Sequence, residues 1–324
     1  MKKLITGILL VVMMLSLAAC GGDTADDDSS NTGAVYHVGV CQLVEHDALD
    51  AATEGFVDAL EEKLGDAVEI EVQLAQGEPN NCTTIINNFV AGNVDLIMAN
   101  ATPALQAAVS GTDTIPILGT SVTEYGVALG IDNFNGTVGG NVSGTSDLAP
   151  LDGQAAMIQE LFPEAKKVGL LYCSAEANSQ YQIDVVTEEL TKLGYECTPY
   201  SFSDSNDLAT VATSAAENSD VIYVPTDNKC ADNTGIIDNV CRPAKVPVVA
   251  GEEGIASGCG VATLSISYYD IGYQTGVMAA EILAEGADIS TMPIAYAPSV
   301  TKKYNAEICQ ELGITIPDDY VAID

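Results

Sequence analysis

A glycine set inside a short β-branched run occurs twice in this chain, as Val38-Gly39-Val40 and, 130 residues on, as Val168-Gly169-Leu170. Three more matches keep nearly that spacing: Leu64-Gly65 with Leu193-Gly194 at 129, Asp95 with Asp220 at 125, and Ile115-Pro116 with Val246-Pro247 at 131. A near-constant offset carried through four elements predicts two lobes of one architecture. Each half alternates strand and helix patterns. VYHVGV (35–40), VEIEVQL (68–74), VDLIMA (94–99) and IPIL (115–118) are followed by VGLLYC (168–173), YECTPYS (195–201), DVIYVP (220–225) and VPVV (246–249). Between the first two runs, Leu49, Ala52, Phe56, Leu60 and Leu64 fall three or four apart and share one helix face. Strand, helix, strand in repetition predicts parallel sheets in an α/β fold.

After VATLSI (261–266) comes one more long helix (268–286), then a short strand in MPIAYAP and a last helix near KKYNAEICQELG. These pieces complete the two sheets, so the chain must cross between lobes more than once and make a multi-strand hinge. The expected division is lobe 1 over 35–146 and 267–298, and lobe 2 over 147–266 and 299–324. At 324 residues the chain is long enough for two cores.

The first twenty residues carry two lysines, an apolar run from Leu4 to Leu17 and small residues before Cys20, the layout of an export signal too short for a membrane span. The ending Leu17-Ala18-Ala19-Cys20 resembles the bacterial lipobox. That resemblance implies a lipidated Cys20 holding the protein on the outer face of the membrane. Residues 21–34, acidic and rich in Gly and Ser, read as a flexible tether. Export permits disulfides among the other eight cysteines, but none shows C-x-x-C spacing, so bridges and isolated buried thiols both remain open.

Forty-six acidic against eleven basic residues, a net charge of −35, lack the basic footprint of a nucleic-acid binder. There are two histidines, His37 and His46, and no H-E-x-x-H, G-x-S-x-G, Walker or G-x-G-x-x-G motif, which speaks against an enzyme, a metal site or a cofactor.

Open α/β sheets hold ligands at the carboxyl ends of their strands. The residues there are Gln42 and His46 after the first strand, Asn100 and Thr102 after the third, and Gly119 to Ser121 after the fourth. In the second half they are Ser174 to Ser179, then Thr226, Asp227 and Asn228, then Gly251 to Glu253. Hydroxyls, amides and carboxylates with almost no cations suit a zwitterion. Its carboxylate would meet helix N-termini such as those opened by Thr102-Pro103 and by Asn178-Ser179, and its ammonium an acceptor such as Asp227 or Glu252. The same residues can equally serve as helix caps. Lys229 stands close enough in sequence to neutralise Asp227 instead. Tyr125, Tyr172 and Tyr268 offer platforms for an apolar or aromatic tail, or belong to the core.

EHDALDAATEGFVDAL, VDLIMANATPALQAA, GGNVSGTSD, EANSQ, VPTDN and YYDIGYQTGVMAAEIL resemble, in order from about Tyr36 to about Tyr320, the ABC transporter substrate-binding proteins whose better-known members bind tryptophan or other aromatic amino acids. The resemblance implies the type I periplasmic-binding-protein fold: two Rossmann-like lobes, three crossovers, and a ligand enclosed on closure. It points to Gln42, His46, Asp50, Thr102, Ser146, Asp147, Asn178, Ser179, Thr226, Asp227 and Asn228 as ligand-binding, to which strand-end position adds Ser121 and Glu252. Asp47 stands where the family usually has proline, and Glu124-Tyr125 where it tends to have Asp-Pro. The expected protein is a monomeric, lipid-anchored receptor for an amino acid that serves a membrane permease. The alternatives are a receptor for a nucleoside, purine or other small polar solute on the same fold, and a ligand sensor without transport.

Overall fold

A computed structural model describes residues 35–323. The expected signal, tether and lipidation site at Cys20 lie outside the described residues, as does Asp324. The described chain builds two sheets. The first takes β1 (Tyr36–Gln42), β2 (Val68–Leu74), β3 (Leu96–Asn100), β4 (Ile117–Thr120) and β5 (Val142–Ser146). The second takes β6 (Lys167–Cys173), β7 (Glu196–Phe202), β8 (Val221–Val224), β9 (Val248–Ala250) and β10 (Ala262–Ser265). The chain then returns to the first sheet with β11 (Ala295–Tyr296) and ends in the second with β12 (Thr301–Tyr304) and β13 (Val321–Ala322). Strand order is β11-β5-β4-β3-β1-β2 in one sheet and β13-β12-β10-β9-β8-β6-β7 in the other.

The repeat seen in the sequence has a physical cause at each of its four points. Gly39 and Gly169 occupy matching strands, and a Cβ on either would meet a packed neighbour, Phe89 at 2.6 Å or Ser219 Oγ at 2.4 Å. Asp95 accepts the His37 amide at 2.7 Å, and Asp220 accepts the amides of Lys166 and Lys167 at 2.7 and 2.9 Å, so each aspartate pins the start of its neighbouring strand. Pro116 and Pro247 supply carbonyls to Ile97 and Ile222, both at 2.9 Å. Gly65 and Gly194 end their helices at positive φ, +53° and +94°, where a side chain would be strained.

Three connections cross between the sheets: 147–150 after β5, 266–267 after β10 and 297–300 after β11. The third corrects the expectation of purely parallel sheets. It delivers the chain to the end of β10 from which the chain has just left, so β12 must run back down, and it pairs antiparallel with Ser265 opposite Thr301. Of the expected last helix only Ala306–Leu312 is helical, since Lys302 and Lys303 belong to β12. β5 was hidden in the sequence. Its residues VSGTS are small and polar yet all buried, because their hydroxyls are paired: Thr145 lies 3.0 Å from Thr120 and 2.8 Å from Thr275 Oγ1.

The helices Asp47–Leu64 and Tyr268–Glu285 pack with almost no spacing. A Cβ on Gly272 would sit 2.0 Å from the Ala52 carbonyl oxygen, and one on Gly55 2.2 Å from that of Tyr269. Both helices begin at the mouth of the cleft, so this contact fixes His46 and Tyr268 relative to one another. All eight cysteines among the described residues are free thiols, and all but Cys197 are buried.

Candidate ligand-binding site

The carboxyl ends of the two sheets meet over a small internal cavity of about 10 Å³. Eight predicted residues line it: His46, Ser121, Asp147, Asn178, Thr226, Asp227, Asn228 and Glu252. Leu49, Thr123, Ala231 and Tyr268 complete the wall, and no lysine or arginine among the described residues joins them.

The other five predicted residues stand behind the wall. Gln42 donates to Asp50 Oδ1 at 2.6 Å and to the Val44 carbonyl at 2.8 Å, and accepts from Thr53 at 2.6 Å, so Gln42 and Asp50 brace the loop that carries His46. Thr102 is not the cap of its helix but its first residue, after Ala101 at φ +93°. Ser146 donates to the Thr123 carbonyl at 2.8 Å and accepts the Leu148 amide at 3.1 Å, which turns the first crossover. Asn178 and Ser179 lie in the first turn of Ala177–Lys192 rather than before it, and Ser179 is fully buried against Asn178.

On the second sheet's side, the protein's own carboxylates occupy the starts of the short helices Asn228–Ala231 and Glu253–Cys259, while Ala177–Lys192 begins without a side-chain cap. Asp227 receives the Cys230 amide at 2.9 Å and the Cys173 amide at 2.7 Å, one on each oxygen. It caps Asn228–Ala231 and ties the end of β8 to that of β6. Glu252 takes the Gly254 and Ile255 amides, both at 2.6 Å. Glu176, which sequence reasoning passed over within EANS, takes the Asn228 and Lys229 amides at 3.1 and 3.0 Å and the Asn228 side chain at 2.7 Å. Burial pushes Glu176 and Glu252 up to about 7, against those donors. Burial also raises Asp227. Lys229 leaves Asp227 alone and reaches across to the Gly77 carbonyl at 2.8 Å.

On the first sheet's side two helix starts are bare, although Glu124 caps Tyr125–Leu129 and Ser267 caps Tyr268–Glu285. Neither His46 before Asp47–Leu64 nor Ala101 before Thr102–Gly111 makes a side-chain cap. Ser121, at the end of β4, holds a positive φ of +53° without being glycine. Such backbone costs about 1 kcal/mol and tends to persist where function requires it.

Six buried side-chain polar atoms among the described residues have no hydrogen-bond partner, and four of them belong to residues of this one cavity: His46 Nε2, Ser121 Oγ, Asp147 Oδ1 and Asn178 Oδ1. An orphaned buried polar atom costs about 1–3 kcal/mol, so four in one place concentrate that cost at a single cavity. The Asn178 amide orientation is set by its other end, whose Nδ2 donates to the Thr226 carbonyl at 3.1 Å and to Glu176 at 3.3 Å. Burial lowers the pKa of His46 and favours neutral imidazole, with the Asn228 side chain and nearby carboxylates pulling the other way.

Two of the tyrosines considered as ligand platforms are core. Tyr125 is buried and donates to the Thr145 carbonyl at 3.0 Å, and Tyr172 is buried and donates to Gln180 at 3.1 Å. Only Tyr268 of the three reaches the cavity.

Residues 37–323 match the family model described as ABC transporter substrate binding protein. The chain belongs to that family. It is 36% identical over 299 residues, 91% of this chain and 86% of the relative, to the tyrosine-binding protein of Clostridioides difficile strain R20291. Its fold superposes with a TM-score of 0.84, at 30% identity and over 88% of this chain and 97% of the other, on a Streptococcus pneumonia ABC domain in complex with L-Trp. A Clostridium difficile substrate binding protein with adhesive properties, in its ligand-free, open structure, is 36% identical over 90% of this chain and 100% of that one. It superposes at only 0.68. The chain is thus a substrate-binding protein of an ABC transporter, with the two-lobed architecture of periplasmic binding proteins.

Proposed function

We propose that this substrate-binding protein closes on an aromatic amino acid and presents it to a membrane permease. The observation that carries this reading is the convergence of four unpaired polar atoms on a cavity between the two sheets. His46 and Ser121 come from the first sheet's side, Asn178 from the second's, and Asp147 from the crossover between them. A ligand that touches all three binds the closed arrangement better than any open one, and that difference in affinity drives closure. The better superposition on the L-Trp complex than on the open, ligand-free relative supports a closed arrangement here, since the latter has the higher identity and the lower TM-score.

The ligand's polarity follows from the two rims. Its carboxylate faces Ser121 and the uncapped starts of Asp47–Leu64 and Thr102–Gly111, because the short-helix starts opposite are already filled by Asp227, Glu252 and Glu176. The lobes run over 35–146 with 267–298, and over 147–266 with 299–324. Cys20 carries the lipid that keeps the protein, as a monomer, at the outer face of the membrane.

Thermal unfolding with each of the twenty amino acids tests the reading. At a hundredfold excess over Kd, a true ligand adds about 2.7 kcal/mol of stability. Tyrosine, tryptophan or phenylalanine should raise the melting temperature by several degrees; no rise with any of the three rejects an aromatic amino acid as the ligand.

A further inference from the structure

We infer that Asp147, and not Asp227, receives the ligand's ammonium group. The inference rests on the amino-acid reading above and assigns one atom within it. Four buried carboxylates surround the cavity or stand directly behind its wall: Asp147, Glu176, Asp227 and Glu252, all at 6% exposure or less. An ammonium needs a carboxylate oxygen with a free lone pair pointing into the cavity. Glu176, Asp227 and Glu252 each have both oxygens engaged by backbone amides, all from short helices except that of Cys173 at the end of β6. Taking any of them for the ligand would orphan amides that the fold has already buried.

Asp147 differs in both respects. Its Oδ2 accepts the Tyr268 hydroxyl at 2.9 Å, which fixes the rotamer, while its Oδ1 has no partner. It caps no helix and follows β5 at the first crossover. Asn178 Oδ1, the other of the cavity's four unpaired atoms that can only accept, lines it from the second sheet's side. An ammonium offers three hydrogens and satisfies both acceptors at once. A charged hydrogen bond in a water-poor cavity is among the stronger single contacts a ligand makes, so removing its acceptor is expected to cost two orders of magnitude in affinity.

Isothermal titration with L-tyrosine and with 3-(4-hydroxyphenyl)propanoate, the same molecule without its amine, isolates that contact. The wild-type protein should prefer tyrosine by at least about a hundredfold. In Asp147→Asn the preference should collapse to within a few fold, through loss of tyrosine affinity and no loss for the deaminated acid. The unliganded variant should melt no lower than wild type, because an unpaired buried charge has been removed. Asp147→Ser, smaller than the native side chain, should give the same collapse. Asp227→Asn should melt lower but keep the preference for the amine. An unchanged preference in both Asp147 variants, or its collapse in a folded Asp227→Asn, overturns the assignment while leaving the amino-acid reading intact. Failure of the wild type to bind tyrosine, tryptophan or phenylalanine overturns that reading and the assignment together.

Discussion

The two rims of the cleft derive from one repeated architecture and differ in what their polar groups are doing. On the rim of the second sheet, Glu176, Asp227 and Glu252 are matched to backbone amides, and Asp227 alone joins two strand ends and a helix. On the rim of the first sheet and the adjoining crossover, the helices Asp47–Leu64 and Thr102–Gly111 start without caps, Ser121 sits at positive φ, and His46, Ser121 and Asp147 keep atoms unpaired. The carboxylates of the second rim are spent on stability, and that of the crossover, Asp147, is left available. Acidic residues at equivalent places therefore carry different meanings, and their partners, not their identity, tell them apart.

The largest effect that would break this contrast is expected at Asp227. Replacing it with alanine strands two buried amides and should cost about 4 kcal/mol of unfolding free energy, measured by chemical denaturation. A loss below about 1 kcal/mol would mean that this carboxylate is not structural. Next comes Gly272→Ala, whose new methyl meets the Ala52 carbonyl oxygen at 2.0 Å, a backbone atom with nowhere to move. About 3 kcal/mol of stability should go, and ligand affinity with it, since the two helices hold His46 and Tyr268 in register at the cleft.

A smaller effect follows from Glu252. Its folded pKa of about 7 lies above the ordinary glutamate value of 4.5, so the folded state binds the extra proton between those pH values. Stability contributed by that proton is fully present below the unfolded pKa and is lost as pH rises toward 7. Glu252 should therefore account for a loss of roughly 2 kcal/mol from pH 5 to pH 8, and Glu252→Gln should make the slope shallower, leaving the part due to Glu176, as read from melting curves. A melting temperature that rises over this range would contradict the burial argument. The smallest shift is that of unliganded Asp147→Asn, which should be equal to wild type or more stable by up to about 1 kcal/mol, the reverse of Asp227.

Much of this was legible in the sequence because it rests on local or repeated chemistry. The VGV strands, the paired Asp95 and Asp220 and the prolines before β4 and β9 repeat at a fixed offset, and each does the same work twice. β5 was not legible, since a buried strand of small polar residues shows its logic only when Thr120 and Thr275 are beside it. Nor was the direction of β12, which depends on where the third crossover enters. At the site, strand-end position found seven of the eight lining residues and the family resemblance alone supplied Asp147, but neither could rank them. The amide that engages Asp227 Oδ2 belongs to Cys173, 54 residues away, so no local pattern separates a cap from a ligand contact. Glu176 was overlooked for the same reason, and Tyr268 stood among three tyrosines with no local sign of which one reaches the cavity.

A crystal structure of the protein with a bound aromatic amino acid tests the contrast most directly. The ligand nitrogen should lie within about 3 Å of both Asp147 Oδ1 and Asn178 Oδ1, with Asp227 still bonded to the Cys173 and Cys230 amides. A ligand nitrogen seated on Asp227, with those amides released, would contradict it.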